Sequence, residues 1–325
     1  MWQSSCAIEK IKARAAMYAQ LRAFFFQRNI LEVETPILSR STATDPQLES
    51  ISAQLRIQAG QEFLNYYLHT SPEFPMKRLL ASGTGAIYQI CKTFRNGETG
   101  TRHNPEFSML EWYRPDFSIT QLMDEVAALV SGVLGPISVT QLSYQHAFKR
   151  YLSIDPFEVS DQDLALLSKK LTHYDGPVLM RDDYLNLLLS HSIEPHLGVD
   201  VAGKICPVFL TEYPPSQSSL AQVITNGEGI KVAQRFELYI QGLELANGYF
   251  ELTDATEQEA RFEADNAERK ALGLPEIPLD RHLLEAMVSG LPVCSGVAMG
   301  LDRLLMIKEK ARSIKEVLNF PIERA

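Results

Sequence analysis

The chain has 325 residues, of which 45% are apolar and 22% are charged, and its formal net charge is −9. This length and apolar fraction suffice for one large core or two smaller ones. General nucleic-acid binders are normally basic, so the acidic balance argues against a broad phosphate-binding surface, although a local basic cleft stays open. No run reaches about 18 apolar residues and the N-terminus has no apolar leader core, so we expect neither a membrane span nor a signal peptide.

The four cysteines are scattered along the chain without CxxC spacing and without a histidine at zinc-ligand spacing. This usage predicts free thiols and fits a reducing compartment, so we expect a cytoplasmic protein. The residues are Cys6, Cys91, Cys206 and Cys294.

The first third of the chain predicts helices joined by short strands. Apolar residues at helical spacing over 8–29 predict a helix that ends near Asn29, followed by a short strand. Residues 41–62 predict an irregular strand pair. At Ser71-Pro72-Glu73 the pattern predicts a helix start, with the serine as cap and the proline at the first helical position.

The remaining elements predict antiparallel strands between helices. A long hairpin is expected over 87–113, with a polar loop at 96–104. Residues 119–200 are mostly helical in pattern and predict an insertion within one catalytic domain that spans 1–325. Further strands are predicted at 205–212, 232–252 and 294–300, and further helices at 255–272, 280–289 and 301–311.

This order of elements predicts the α+β class, because strands do not alternate with helices as βαβ units. The sequence has no GxxxxGK[ST] and no GxGxxG motif, so the two common phosphate-binding loops are absent. Any ATP would therefore be held by side chains.

Arg95 is the first candidate phosphate ligand. It lies where a predicted strand enters the polar loop, and Phe107 lies where the chain returns. A guanidinium in that place can bind a phosphate through two hydrogen bonds, and an aromatic ring nearby can stack on a base. The alternative is a surface hairpin with ordinary charges.

Arg303 is the second candidate phosphate ligand. Small residues at 295–300 allow close approach of a ligand, Gly300 opens a helix, and Arg303 lies in the first turn of that helix. A helix N-terminus with an arginine favours phosphate binding. The alternative is a glycine-rich strand that only packs.

Three glutamates follow one another in the predicted hairpin around Gln241-Gly242. If these two residues form the turn, Tyr239 lies opposite Glu244, and Glu237 shares a face with Glu244. Two carboxylates so placed can share Mg²⁺. Glu251 would fall on the other face unless a bulge, which we expect at Asn247-Gly248, shifts the phase. Solvated edge carboxylates are the alternative.

Together these segments resemble the three signature motifs of the class II aminoacyl-tRNA synthetases, in their lysyl branch. Motif one resembles Val33-Glu34-Thr35-Pro36, motif two resembles Phe94–Tyr113, and motif three resembles Gly296–Arg303. The stretches Thr70–Glu73 and Glu244–Gly248 also match the lysyl type. The resemblance runs from about residue 8 to Asn319-Phe-Pro-Ile and is weakest over 119–200.

Lysyl-tRNA synthetases carry an N-terminal domain that reads the anticodon, whereas here the catalytic core is expected to begin almost at residue 1. In this respect the chain resembles the elongation factor P–(R)-β-lysine ligases, which activate β-lysine with ATP and transfer it to a lysine of elongation factor P. The resemblance implies ATP and Mg²⁺ as cofactors, β-lysine or lysine as substrate, elongation factor P as acceptor, and a homodimer through Pro36. It makes tRNA an unlikely acceptor.

The resemblance also implies roles for single residues. Arg95 would bind the α-phosphate and Arg303 the γ-phosphate, and Glu237 and Glu244 would hold Mg²⁺. Glu251 would pair with the distal ammonium of the amino acid. The other implied ATP contacts are Glu98, His103, Asn104, Phe107, Glu244, Leu245 and Gly300, and the other implied amino-acid contacts are Ser71, Pro72, Glu73, Tyr113 and Ala298.

Two positions depart from the family pattern. Motif two usually reads Phe-Arg-x-Glu, but Gly97 stands at the last place here and Glu98 follows it; either Glu98 or a water takes over the role of that acid. Lysyl-tRNA synthetases usually have glycine where this chain has Ala298. The added methyl fits a change from an α-amino to a β-amino acid, and a methyl discriminates by only about 1–3 kcal/mol.

The expected chemistry is attack of an amino-acid carboxylate on the α-phosphate, followed by attack of a protein lysine on the adenylate. No side-chain nucleophile is needed, and the sequence identifies no base for the second step. Three alternatives stay open: a tRNA-charging lysyl-type synthetase, an ammonia-using amide synthetase, and a catalytically inactive protein that senses amino acids.

Overall fold

The computed structural model describes residues 2–200 and 202–325. Its described residues form two compact units, one of residues up to Phe117 together with Leu252–Ala325, and the other of Ser118–Glu251. The α-helices are α1 (Ile8–Phe26), α2 (Glu73–Ala81), α3 (Ile119–Leu134), α4 (Tyr144–Leu152), α5 (Asp161–Thr172), α6 (Arg181–Leu188), α7 (Ala255–Ala271), α8 (Arg281–Gly290) and α9 (Leu301–Lys308).

The strands are distributed over the same two units. They are β1 (Leu31–Glu32), β2 (Leu38–Ser39), β3 (Ser52–Leu55), β4 (Leu64–Leu68), β5 (Ile87–Phe94), β6 (Glu106–Pro115), β7 (Thr140–Ser143), β8 (Val208–Tyr213), β9 (Val223–Thr225), β10 (Lys231–Ile240), β11 (Leu243–Phe250) and β12 (Cys294–Gly300).

In the first unit, β6 pairs antiparallel with β5 and with β12, and β1 adds to β5 in parallel. A small antiparallel sheet has the order β2-β4-β3. In the second unit, β10 pairs antiparallel with β8, β9 and β11, and β7 pairs in parallel with β8. The expected α+β class with mainly antiparallel strands is therefore confirmed.

Helix α1 buries one face of the β5–β6 pair. Its residues Met17, Leu21 and Phe25 are buried at a spacing of four, which is one face of a helix. The ring of Phe25 stacks on Tyr88 at 4.2 Å and meets the edge of Trp112 at 5.5 Å. Because side chains alternate along a strand, the neighbours of Trp112 in β6 point to the other face.

The open face, as we call it, is that other face of β6 and β12. It carries Phe107, Glu111 and Tyr113 from β6, and Gly296, Ala298 and Gly300 from β12, with Ala298 directly opposite Glu111. Small residues at alternate positions of β12 leave this face free of bulky side chains next to β6. The sheet is thus covered by α1 on one face, whereas on the other face the side chains of Glu111 and Tyr113 are buried beside the small residues of β12.

In the second unit, helices α4, α5 and α6 share a core with β8 and β10. Tyr144 of α4 stacks on Phe148 at 4.6 Å and lies 5.0 Å from the ring of Tyr213. The prediction that 119–200 is mostly helical is confirmed, with the short strand β7 between α3 and α4. The prediction of a single domain over 1–325 stays a prediction.

Several predicted boundaries differ from the structure. Helix α2 begins at Glu73, and Pro72 is its N-cap, so placing the proline at the first helical position was wrong by one residue. The Ser71 hydroxyl still accepts a hydrogen bond from the Glu73 amide at 3.0 Å. Helix α1 ends at Phe26 because the chain turns at Asn29, whose φ is +53°.

The four cysteines are free, as expected. Among residues 2–200 and 202–325, none of the helices combines the length and the apolar character that crossing a membrane requires.

Candidate active site

Arg95 is held by three neighbours at the end of β5. Its guanidinium lies 3.6 Å from the Glu98 carboxylate and 5.2 Å from the centre of the Phe107 ring. Its amide donates to the carbonyl of Pro105 at 2.9 Å, which closes the loop. The buried Nε of Arg95 has no hydrogen-bond partner among the residues that the structure describes, so a donor remains for a ligand.

The loop turns at Gly97, whose φ is +75°. A glutamate at that position would be strained, because residues other than glycine rarely adopt this backbone conformation. The acid instead stands one residue later, and the contact between Glu98 and Arg95 favours Glu98 as the replacement for the usual acid.

Arg303 contacts the same loop from the first turn of α9. Its Nη2 donates to Nε2 of His103 at 2.7 Å. A guanidinium has only donors, so Nε2 must carry a lone pair and the imidazole is neutral. Burial, and next the charge of Arg303, lower the pKa of His103, which agrees with this assignment. The structure therefore brings Arg303 and His103 into direct contact, and their roles toward ATP stay predictions.

Asn104 has a different environment from the one expected of an adenine contact. Its side chain is only 5% exposed. The amide donates to the carbonyl of Glu106 at 2.6 Å and accepts from the amide of Ile322 at 3.0 Å. These contacts favour a role in holding the loop against the C-terminal turn.

A buried carboxyl that the sequence analysis missed lies on the open face. Glu111 is 2% exposed, and it accepts from the Ser71 hydroxyl at 2.7 Å and from the Tyr113 hydroxyl at 2.7 Å. Burial, and next the charge of Glu73, raise the pKa of Glu111 to about 7. Ser71, Glu73 and Tyr113 were predicted amino-acid contacts, and Glu111 connects them.

The alternation of β6 could have revealed Glu111. It lies at even spacing from Phe107 and Tyr113, both of which were predicted contacts, so all three share one face. A second buried charge accompanies it: Lys77 is 1% exposed and pairs with Glu73 at 2.5 Å. The cluster therefore combines two carboxyls and one ammonium around the face next to Ala298.

In the second unit, the turn between β10 and β11 has the predicted register. Gln241 and Gly242 have φ values of +53° and +68°, as in a type I′ turn, and Tyr239 lies opposite Glu244. Glu237 is two residues from Tyr239, so Glu237 and Glu244 share a face, as predicted.

The bulge of this hairpin lies at Leu245, so its expected place at Asn247-Gly248 was wrong. Leu238 pairs with Ala246 while Tyr239 pairs with Glu244, which leaves Leu245 as the extra residue. This one-residue shift in register changes which face the following side chains of β11 point to, which is the effect that a bulge at Asn247-Gly248 was expected to have. Strand alternation then places Glu251, which is 1% exposed, on the face of Glu237 and Glu244. We call this the carboxylate face.

The two carboxylates that were predicted to hold Mg²⁺ differ in exposure. Glu237 is buried at 6% exposure, whereas Glu244 is partly exposed. Within residues 2–200 and 202–325, no group of three or more His, Cys, Asp or Glu side chains is placed to hold a metal by itself. Two hard oxygen donors on one face suit Mg²⁺ when the metal brings further ligands.

Known proteins resemble this chain over its full length. Over 326 aligned residues the chain is 47% identical to proteins named elongation factor P–(R)-β-lysine ligase from Salmonella dublin, Salmonella paratyphi B and Salmonella heidelberg. Each alignment covers 100% of this chain and 98% of the relative. The family described as tRNA synthetases class II (D, K and N) matches residues 2–324. The chain therefore belongs to the class II tRNA synthetase family of the D, K and N type.

Proposed function

We propose that this protein is an ATP-dependent ligase that activates (R)-β-lysine and transfers it to a lysine of elongation factor P. The observation that carries the proposal is the 47% identity over the full chain to relatives that bear this name. The residues of the two units supply the chemistry that such a reaction needs.

In the first step, a carboxylate oxygen of β-lysine attacks the α-phosphorus of ATP, and the bond to the β-phosphate breaks. Arg95 binds the α-phosphate and offsets the negative charge that grows there, and Arg303 binds the γ-phosphate. Phe107 stacks on the adenine, His103 and Asn104 shape the loop around it, and Glu98 orients Arg95. Leu245 and Gly300 contribute backbone contacts to ATP.

Glu237 and Glu244 are the residues that would hold Mg²⁺. Both offer the hard oxygen donors that this ion prefers, and both lie on the carboxylate face. When bound, the ion neutralises phosphate charge and orients the pyrophosphate leaving group.

The amino acid is recognised through its two ammonium groups. Ser71, Pro72, Glu73, Glu111 and Tyr113 form the surroundings of the amino group near the carboxylate, with Ala298 beside them. Glu251 pairs with the distal ammonium, because a carboxylate and an ammonium attract each other and form charge-assisted hydrogen bonds. A chain with these acids selects a lysine-like substrate over a neutral amino acid.

In the second step, the ε-amino nitrogen of an acceptor lysine attacks the carbonyl carbon of the adenylate. The bond to the phosphate oxygen breaks, AMP leaves, and the nitrogen loses one proton as the amide forms. Elongation factor P is the proposed acceptor, and the protein is proposed to act as a homodimer through the segment around Pro36.

A tRNA-charging synthetase is the second candidate function. The family match over residues 2–324 favours it, because the family name describes tRNA synthetases. Both candidates share the adenylate step and differ in the acceptor, so the acceptor decides between them.

The adenylate step is tested by ATP–pyrophosphate exchange with β-lysine and with α-lysine. We expect exchange with β-lysine, and we expect Arg303→Ala to reduce its rate at least about 100-fold because the γ-phosphate loses its partner.

Arg281→Ala is the matched control, because Arg281 is an exposed arginine that pairs with Glu259 at the surface. It should exchange like the wild type. Exchange by Arg303→Ala at the wild-type rate would refute the γ-phosphate role, and no exchange by the wild type with either amino acid would refute the enzyme function.

A further inference from the structure

A buried carboxylate, that of Asp302, joins the strand that carries Phe107 to the helix that carries Arg303. We infer that Asp302, held by Arg14, is a positioning residue for ATP, and that it sets the distance from the β5–β6 hairpin to Arg303. This inference rests on the proposed ATP site. The residues that carry it all belong to the first unit.

The Asp302 carboxylate completes the hydrogen bonding at the start of β6. The pairing of β6 with β12 ends at Met109 and Gly300, so the amide of Ser108 lies one residue beyond it. That buried amide donates to Oδ2 of Asp302 at 2.6 Å. A buried backbone amide without a partner is costly, so this contact fixes the peptide group that joins Phe107 to Ser108.

Arg14 of α1 holds the other oxygen of the same carboxylate. Its Nη2 donates to Oδ1 of Asp302 at 2.5 Å and to the carbonyl of Val317 at 2.9 Å, and its Nη1 donates to the hydroxyl of Tyr18 at 3.2 Å. Asp302 is only 1% exposed. Burying a carboxylate is costly unless an opposite charge and hydrogen bonds compensate it, and an arginine anchored at three points supplies both in one orientation.

The place of Asp302 in the chain links these contacts to ATP. Asp302 immediately precedes Arg303 in the first turn of α9. Ser108 immediately follows Phe107 in β6. Under the proposed function, Phe107 and Arg95 hold the adenine and the α-phosphate on one hairpin, whereas Arg303 holds the γ-phosphate from α9. A shift between the hairpin and α9 would therefore weaken the binding of ATP, which reaches both, more than the binding of AMP, which reaches only the hairpin.

The test compares the affinities of the full-length protein for ATP and for AMP, both measured with Mg²⁺ by calorimetry. Asp302→Asn keeps the size of the side chain, but an amide offers one acceptor oxygen where the carboxylate offers two. We expect the affinity for ATP to fall at least about 5-fold, while the affinity for AMP stays within about 2-fold of the wild type. Equal losses for the two nucleotides, or no loss for ATP, would overturn the inference.

A double-mutant cycle tests whether Asp302 acts through Arg303. In Arg303→Ala the γ-phosphate has already lost its partner, so adding Asp302→Asn should change the affinity for ATP by less than about 2-fold. Full additivity of the two losses would contradict the positioning role.

Arg14 provides the variants that separate position from stability. Arg14→Met leaves the Asp302 carboxylate buried without that partner, so the free energy of unfolding and the affinity for ATP should both fall. Adding Asp302→Asn to Arg14→Met removes both charges, and neutral replacement of a buried ion pair is often tolerated, so stability should recover. The affinity of this double variant for ATP should stay at least about 5-fold below that of the wild type, because the carboxylate that fixes Ser108 is absent.

Recovery of ATP affinity together with stability in the double variant would show that Asp302 has only a structural role. The double variant also serves if Asp302→Asn alone fails to fold.

Arg22→Met is the matched control in the same helix. Arg22 also binds a carboxylate, because its Nε donates to the two oxygens of Glu32 at 3.0 and 3.1 Å. Its loss should leave the affinities for ATP and AMP unchanged. A wild type that does not bind ATP would contradict the proposed function itself, whereas a wild type that binds ATP no better than Asp302→Asn does would contradict only this inference.

Discussion

Glu111 is the residue whose ionisation should be visible in the stability of the protein. Its folded-state pKa of about 7 lies above the ordinary 4.5, because burial and Glu73 disfavour the charged form. Between these two values the folded state binds a proton that the unfolded state has lost. The contribution of Glu111 to the free energy of unfolding therefore falls as pH rises through this window.

Glu111→Gln should remove this part of the pH dependence. Urea titrations at a series of pH values measure the free energy of unfolding of both proteins. As pH rises from 4.5 to about 7, the free energy of unfolding of the wild type should fall relative to that of the variant. The neutral amide resembles the protonated carboxyl, so the two proteins should agree best at the acid end.

Tyr113→Phe is the informative companion variant. It removes one of the two hydroxyls that donate to Glu111, so the pKa of Glu111 should rise further and the loss of stability should extend to higher pH. A difference between wild type and Glu111→Gln that stays constant with pH would contradict the account of this carboxyl.

At the scale of elements, the loop that carries Arg95 is braced by the C-terminal segment. The amide of Ile314 donates to the carbonyl of Thr101 at 2.8 Å, and the amide of Ile322 donates to Asn104. The buried Ile314 packs this segment in place. Because of these contacts, we expect the conformation of the loop to depend on Ile314 and Ile322, which are far away in sequence.

Asn104→Ala should lower the free energy of unfolding by about 1–3 kcal/mol, because two hydrogen bonds of about 0.5–1.5 kcal/mol each are lost. It should also raise KM for ATP more than it lowers kcat, because the loop around Arg95 loses its anchor. Urea unfolding and exchange kinetics measure the two effects.

Asn266→Ala is the control, because Asn266 makes the same kind of side-chain-to-backbone hydrogen bonds elsewhere in the first unit. Asn266 donates to the carbonyl of Ile277 and accepts from the amide of the same residue, each at 2.9 Å. A similar loss of stability with an unchanged KM for ATP is expected. If both variants changed KM for ATP equally, the brace would not be specific to the loop.

The hairpin around Gln241-Gly242 shows how far the sequence predicts an element. Both turn residues adopt the positive φ that a type I′ turn requires, so the turn fixed the pairing of Tyr239 with Glu244. The bulge was misplaced because its position depends on which backbone groups of β10 find partners on β11. Local sequence does not encode that choice as it encodes the turn.

Glu111 and Asn104 show the corresponding limit at the site. Glu111 stands in an apolar strand, and only its contacts with Ser71 and Tyr113 reveal it as the centre of a cluster. The role of Asn104 in the ATP site was implied by resemblance and stays a prediction, and its contact with the amide of Ile322 joins residues 218 positions apart. Such long-range contacts follow from the fold and leave no local pattern.

At the scale of the whole molecule, the candidate residues are divided between the two units. Arg95, Arg303 and the cluster around Glu111 belong to the first unit, and the three glutamates of the carboxylate face belong to the second. Under the proposed function, the first set would recognise the phosphates and the amino group, and the second set would hold the metal and recognise the distal ammonium.

The central claim is that the activated β-lysine is transferred to a protein. The most direct measurement incubates the enzyme with ATP, Mg²⁺ and radiolabelled (R)-β-lysine, together with elongation factor P and bulk tRNA, and follows the acid- and base-stable label. We predict stable label on elongation factor P, abolished when its acceptor lysine is replaced by arginine, because an amide resists base. Label that appears only on tRNA and is lost in base, as expected for an ester, would contradict the account.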